Sequence, residues 1–288
     1  MSKIQLYNTD CLEQLRLLPE NSIDMVLCDL PYGTTLEKWD KIIPMEDYIV
    51  YNRKNLTFTD FMFLQYKKGI PLRDTIEKFE KNKQLGLWTL YDKIVKPDGA
   101  ILLFGQEPFS SMLRQSNIED YRYDIYWEKE RLTNVQQVHK RVGKTVESIS
   151  VFYKKQPVYN PQMQIYTGRK VRNTVKDGTL GKLIDRNNQK AKPYRDNGTR
   201  YPTQVWKYSR EFLKEEHHRT QKPIELLKNC ILTFSNEGDT VLDNAMGWGS
   251  AGRAAILTNR NFIGIEADPY NFQKAEKILK NSLISCEK

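Results

Sequence analysis

Thr240-Val241-Leu242-Asp243-Asn244-Ala245-Met246-Gly247-Trp248-Gly249-Ser250-Ala251-Gly252 reads as a buried strand, an acid at its end, and a glycine-rich loop running into a helix. A helical pattern fills 251–258. Asn261-Phe262-Ile263-Gly264-Ile265-Glu266 then forms a second apolar strand that also ends on an acid. Strand, glycine loop, helix, strand, acid is the order of nucleotide-binding α/β folds, where glycines let the backbone approach a ligand closely. Glu266 stands 19 residues beyond Gly247, close to the spacing that brings an acid to a ribose diol. The architecture predicted is an α/β, doubly wound sheet, with its ligand beyond the carboxyl ends of the strands.

Working outward, a second stretch falls at such a strand end. The apolar run Ile23–Cys28 follows the turn-like Pro19-Glu20-Asn21-Ser22 and leads into Asp29-Leu30-Pro31-Tyr32. A strand-ending turn accounts for Asp, Pro and Tyr as residue types. The tetrapeptide also resembles the Asp-Pro-Pro-Tyr type motif of amino-group DNA methyltransferases, which modify adenine N6 or cytosine N4. That resemblance implies a division of labour. An exocyclic amine delocalises its lone pair into the ring and is a poor nucleophile. Asp29 and the backbone carbonyl of Pro31 would each accept one amino hydrogen, which favours a pyramidal nitrogen with its lone pair aimed at an electrophilic methyl. Proline fixes φ and presents that carbonyl stiffly. Tyr32 would stack on a base taken out of the duplex.

Composition narrows the setting. At 288 residues the chain can bury a proper core, and none of its apolar runs approaches the length of a membrane span. The N-terminus runs straight into a strand pattern, so no signal peptide is expected. Cys11, Cys28, Cys230 and Cys286 show no Cys-x-x-Cys pairing, and His139, His217 and His218 are the whole histidine complement. That makes a metal site improbable and points to reduced thiols in the cytoplasm. The net charge of +9 is concentrated: 154–210 holds fourteen Lys and Arg against three acids, leaving the rest of the chain near neutral. One strongly basic segment on a neutral body points to a polyanion.

In chain order, Ile4-Gln5-Leu6-Tyr7-Asn8 reads as a strand and 11–18 as a short helix capped by Asp10, so this strand and Ile23–Cys28 are expected to be parallel neighbours. The block 45–87 shows helical stretches at 59–68 and 71–83 on either side of Gly69. Another helix, 88–95, ends at the turn-like Lys96-Pro97-Asp98-Gly99, and 100–105 is a buried strand followed by a helix at 108–115. Strand patterns recur at 121–129 and 148–154. From 156 to 215 periodicity fades, and Tyr159, Tyr166, Tyr194, Tyr201, Trp206 and Tyr208 are interleaved with basic residues. Such a stretch suits nucleic acid, with Lys170, Arg172, Lys192, Arg195 and Arg200 as candidate DNA contacts. Helix 223–234 and the strand at 240–243 restore regular structure.

Further motifs extend the resemblance almost end to end. The chain is similar to DNA amino-methyltransferases whose catalytic motif precedes the cofactor loop, as found in phages and restriction-modification systems. Asp243, Gly247, Gly249 and Ser250 fall in what looks like the family's S-adenosylmethionine loop. His218-Arg219-Thr220-Gln221-Lys222-Pro223 resembles a His-Pro-Thr-Gln-Lys-Pro motif, which implies that Lys222 lies at the methionine end of the cofactor. Asn8-Thr9-Asp10-Cys11 resembles a Gly-Asp-Cys element and implies that Asp10 faces the adenine. Glu147-Ser148-Ile149 also sits where this group places similar residues. The resemblance implies a Rossmann-like methyltransferase sheet, circularly permuted, with an inserted DNA-recognition segment. Residues 1–155 would form the catalytic half (with a helical insert at about 45–87), 156–215 the recognition segment and 216–288 the cofactor-binding half. The implied partner is double-stranded DNA, with no membrane and no metal, and a homodimer is compatible with it. The implied reaction is methylation of a flipped base, adenine N6 ahead of cytosine N4. Methylation of RNA or of a protein amide, and a catalytically silent DNA-binding relative, are the alternatives. Leu30 and Arg219 replace family prolines, and Trp248 stands where a small serine is usual. Trp248 is the best argument for the silent relative.

Overall fold

The computed structural model describes residues 2–33, 40–165, 198–209 and 221–286. Chain order begins β1 (Ile4–Tyr7), α1 (Cys11–Leu17), β2 (Ile23–Cys28), β3 (Tyr48–Tyr51), β4 (Lys54–Thr57), α2 (Phe58–Lys67), α3 (Leu72–Asn82) and α4 (Leu87–Ile94). It continues with β5 (Val95–Gly105), α5 (Phe109–Ser116), β6 (Tyr121–Glu128), β7 (Val146–Phe152), β8 (Gln164–Ile165), β9 (Thr199–Arg200) and β10 (Val205–Lys207). The last elements are α6 (Ile224–Phe234), β11 (Thr240–Asp243), α7 (Ser250–Leu257), β12 (Asn261–Ile265) and α8 (Pro269–Cys286).

Among the described residues, eight strands form one sheet in the order β1-β12-β11-β2-β5-β7-β6-β10. Neighbours are parallel except on either side of β7, which runs against both β5 and β6. Strands buried on both faces carry continuous apolar runs, and alternate residues sort to opposite layers. Met25 and Leu27 of β2 pack with α6, α7 and α8 on one side. Val26 and Cys28 pack with α1, α4 and α5 on the other. This is the doubly wound sandwich that the glycine loop predicts. The C-terminal strands stand beside β1, Ile4 pairing with Phe262 and Val241 with Phe262, as a circularly permuted order requires.

Four local expectations change. β1 and β2 are not neighbours, because β12 and β11 lie between them. Spacing along the chain shows that a crossover exists but not how many strands it skips. The turn expected at Lys96-Pro97-Asp98-Gly99 lies inside β5 as an irregularity, since Ile23 pairs with Val95 but Met25 pairs with Ala100. Gly99 permits the close packing, because a Cβ there would sit 3.0 Å from the carbonyl oxygen of Asp24.

The third change lies in the 45–87 block, whose two helices are preceded by an antiparallel hairpin, β3–β4. Its turn residues Asn52 and Arg53 both have positive φ, 49° and 63°. That backbone usually selects Asn-Gly, so arginine hides the signal. The block carries its own small core of Ile49, Phe61 and Phe79.

The fourth concerns the 156–215 segment. Met1–Asn160 with Gln204–Lys288 forms one compact unit, and Pro161–Thr203 a second that contains the two-stranded pair β8–β9. Val205–Lys207 is therefore a strand of the main sheet, parallel to β6. Trp206 is buried in the core and Tyr208 packs against it, so neither is a platform for nucleic acid. Lys170, Arg172, Lys192, Arg195 and the His218-Arg219-Thr220 part of the later motif lie outside the described residues.

Candidate active site

Parallel strands bring their carboxyl ends to one edge, and the acids found in the sequence collect there. Asp10 follows β1, Glu266 follows β12, Asp243 ends β11 and Asp29 follows β2. Antiparallel β7 delivers its beginning to the same edge, where Glu147 is in register with Trp127, two residues before Lys129. Gly105, at the end of β5, pairs with Ser148, which places Gln106 beside the same group.

Asp29 is the hub. Its Oδ1 accepts the Tyr32 hydroxyl at 2.6 Å, and its Oδ2 accepts the ammonium of Lys222. Leu30 is buried in the core and fixes the loop between them. The Tyr32 ring lies 5.1 Å from that of Phe109, centroid to centroid. Lys222, which immediately precedes Pro223 at the start of α6, is almost wholly buried, with Nζ 5.0 Å from the Phe104 ring centroid. Its second anion is Glu147, with Oε2 at 3.5 Å. Glu147 is itself buried; its Oε1 accepts Lys129 and, at 2.6 Å, Gln106 Nε2.

Burial alone would raise the Glu147 carboxyl, but Lys222 and then Lys129 bring it down to about 2. Burial likewise opposes the charge on Lys222, yet Asp29 and Glu147 hold its ammonium above the ordinary lysine range. Tyr32 is pushed well up by burial and then by Asp29, so its hydroxyl keeps its proton and donates. Lys222 is thus held as a cation beside Asp29; the resemblance also implies a place for it at the methionine end of the cofactor. The roles of Glu147 and Lys129 were missed. Their signal was a charged residue ending or starting an apolar strand run on the edge that carries Asp29.

The glycine loop builds the other half of the edge. Gly247 has φ +52°, and its N–H donates to Glu266 Oε2 at 2.9 Å. Glu266 Oε1 accepts Asp268 N at 2.9 Å. Among the described residues, a Cβ on Gly247 would meet nothing within 4 Å, so they leave this face of the loop open to a ligand, while one on Gly249 (φ +80°) would press on Leu279 at 3.2 Å. Ser250 begins α7. Asp10 caps α1, accepting Leu12 N at 2.8 Å and Glu13 N at 3.3 Å. Asn8 Nδ2 donates to Glu266 O at 2.8 Å and ties the ends of β1 and β12 together. Asp243 is buried and accepts Ala245 N at 3.1 Å; burial pushes its carboxyl up to about 7. The Trp248 indole N–H donates to Asn271 Oδ1 at 2.9 Å, and its ring meets Tyr270 and the Lys274 ammonium, all on α8. An open glycine face, a half-buried acid with free lone pairs and a second buried acid suit a nucleoside cofactor carrying an amino acid, as S-adenosylmethionine does. Among the described residues, no group of three or more His, Cys, Asp or Glu could hold a metal, and no helix is long and apolar enough to cross a membrane.

The known proteins that this chain is similar to are DNA methyltransferases. The chain is 27% identical over 263 residues to the DNA adenine methyltransferase YhdJ of Escherichia coli, covering 89% of this chain and 76% of that one. It is 22% identical to the type II methyltransferase M.HindIII of Haemophilus influenzae, covering 91% and 90%. Two solved folds superpose over nearly the whole length. One is the M1.HpyAVI–SAM complex (TM-score 0.52, 21% identity, 96% and 100% covered). The other is the cytosine-N4-specific PvuII methyltransferase (TM-score 0.56, 16% identity, 99% and 92% covered). The DNA methylase family matches residues 23–277, from the first residue of β2 into α8, and the chain belongs to this family of N6/N4 DNA methyltransferases.

Proposed function

We propose that the chain methylates an exocyclic amine of a base turned out of double-stranded DNA, adenine N6 ahead of cytosine N4. The observation that carries this reading is the Asp29 carboxylate, about a third exposed at the carboxyl edge and held from both sides by Tyr32 and Lys222. Each carboxylate oxygen has two lone pairs, so a held Asp29 still accepts an amino hydrogen. The Pro31 carbonyl takes the second hydrogen, and Tyr32 offers its ring to the base. Lys222, kept protonated by its two anions, acts as a cation and not as a base. S-adenosylmethionine, when bound, supplies the electrophilic methyl. Gly247, Gly249 and Ser250 hold it along the open loop, with Glu266 at the ribose, Asp243 at the ammonium and Asp10 toward the adenine.

In this reading residues 1–160 and 204–288 form the catalytic body, and 161–203 carries target recognition. Of its named basic residues, Arg200 in β9 lies within the described residues. Cys11, Cys28 and Cys230 are free and buried, which suits a reducing cytoplasm. Adenine is favoured because the YhdJ likeness spans most of both chains, while the cytosine-specific likeness is one of fold. The test is labelled methyl transfer to duplex DNA followed by separation of nucleosides. Label in N6-methyladenine is expected. Label in N4-methylcytosine overturns the base assignment, label in RNA alone overturns the substrate, and no label supports the silent relative.

The state of Asp243 makes a separate prediction. With its carboxyl at about 7 in the free protein, an ammonium brought against it stabilises the ionised form and lowers that value. Cofactor binding then releases a proton near neutrality, and affinity rises with pH through about 7. Calorimetry in buffers of different ionisation enthalpy reads the proton directly. Identical heats in all buffers would remove Asp243 from the cofactor site.

A further inference from the structure

We propose that Glu147 is a positioning residue for methyl transfer, giving the Lys222 ammonium a second seat when Asp29 takes up the amine. This rests on Asp29 being the group that holds the amine. In the free protein the ammonium sits on Asp29 Oδ2, while Glu147 Oε2 lies 3.5 Å away. Among the described residues that oxygen is buried and accepts no hydrogen bond. Its partner oxygen, by contrast, accepts both Lys129 and Gln106. A buried acceptor left unfilled beside a buried donor is costly, and a shift of about 0.6 Å by the ammonium would bring the pair to ordinary bonding distance.

The surroundings confine that movement to one line. Lys222 Nζ faces the ring of Phe104 at 5.0 Å and that of Tyr32 at 5.8 Å, so Asp29 and Glu147 are its two anions. Glu147 cannot follow, because Lys129 and Gln106 grip Oε1 and Lys144 Nζ holds Gln106 Oε1 at 2.6 Å. Among the described residues two lysines, Lys222 and Lys129, touch the two carboxylates, and sliding an ammonium between its seats changes no net buried charge. With the ammonium on Asp29, that carboxylate is a weaker acceptor for an arriving amine. With the ammonium drawn toward Glu147, Oδ2 is released without Lys222 leaving the site.

Glu147→Gln removes the charge and keeps the shape. Single-turnover methyl transfer should fall by about a hundredfold, the scale set by misplacing a reacting group by about an ångström. Affinities for S-adenosylmethionine and for duplex DNA should stay within about twofold, since the glycine loop and the basic segment are untouched. The groups that face Glu147 are Lys222, Lys129 and Gln106, with Asp29, Tyr32 and Lys144 one contact beyond. Losing one of its two anions while still buried, Lys222 gives up its proton more readily, so the alkaline limb of the rate profile moves to lower pH. Glu147→Asp, which keeps the charge, should leave that limb where it is in the parent.

Glu147→Gln alone takes the carboxylate from buried Lys129 and can compromise folding. The double variant Lys129→Met with Glu147→Gln removes both charges and carries the same expectations. A folded variant with the parent's rate and limb overturns the inference, as does a slower rate with an unmoved limb, the mark of a purely structural role. Asp29→Ala is run alongside. If it is inactive while both Glu147 variants match the parent, only the second seat fails. If Asp29→Ala is active, the reading of the site fails and takes the inference with it.

Discussion

Asp29→Ala loses methyl transfer by two or more orders of magnitude, about 3 kcal/mol or beyond in the barrier. The expectation follows from where the bond is made. The amine needs an acceptor as its lone pair localises, and an interaction confined to the transition state affects turnover more than binding. The Asp29 side chain also anchors its neighbours: without it the Tyr32 hydroxyl loses its acceptor and Lys222 keeps only Glu147. The cofactor loop and β12 have their own contacts through Gly247 and Asp268, so cofactor affinity persists. Asp29→Asn is more damaging than its size suggests. An amide has one acceptor oxygen, so serving Tyr32 points its NH2 at the Lys222 ammonium, and serving Lys222 makes the Tyr32 hydroxyl accept from NH2 and leaves its O–H without the Asp29 acceptor. Single-turnover incorporation of labelled methyl groups measures both variants. Transfer at the parent rate by Asp29→Ala would show that this carboxylate is not catalytic.

Cofactor binding weakens by about 1–3 kcal/mol in Glu266→Ala, roughly five- to 150-fold in Kd. The half-buried carboxylate accepts Gly247 N and Asp268 N, one on each oxygen, and keeps lone pairs for a diol. Alanine therefore removes the ribose contact and also frees the N–H of the loop residue whose open face receives the ligand. Glu266→Gln keeps one carbonyl oxygen for Gly247 but turns its NH2 against the Asp268 N–H, so its loss of affinity adds the cost of that contact to that of the ribose contact. Calorimetry reports both. An affinity unchanged in Glu266→Ala would place the ribose elsewhere along the edge.

Much of this edge was readable from the chain because buried parallel strands write themselves as unbroken apolar runs. Ile23–Cys28 and Thr240–Asp243 appear at their observed limits, and each hands on to an acid that the fold brings to the edge. Asp29 and Asp243 were legible for that reason, as was Glu266 after the run Asn261–Ile265. The hairpin β3–β4 was not, since its left-handed turn is built from Asn52 and Arg53 and carries no glycine. Nor was β10, a three-residue strand whose basic neighbours concealed a buried tryptophan. The Lys129–Glu147–Lys222 cluster joins residues from β7, the end of β6 and the approach to α6. Nothing local in sequence links them, because only the reversed direction of β7 turns Glu147 toward Asp29.

The seating of β1 has a kinetic consequence. Among the described residues its one sheet partner is β12, so Ile4 waits for Phe262, 258 residues further along. At about 5–20 residues per second of synthesis, that wait lasts roughly 13 to 52 s. Through that interval a nascent chain can pair β2 with β5, but β1 has no partner and β2 has an unfilled side where β11 will dock. Pairings of such high contact order are slow to form and leave strand edges open to aggregation meanwhile. The glycine loop arrives on the same late segment as those missing strands. A ribosome-bound chain therefore carries Asp29 long before it can hold a methyl donor, and closure of the sheet and competence for chemistry come in a single late step.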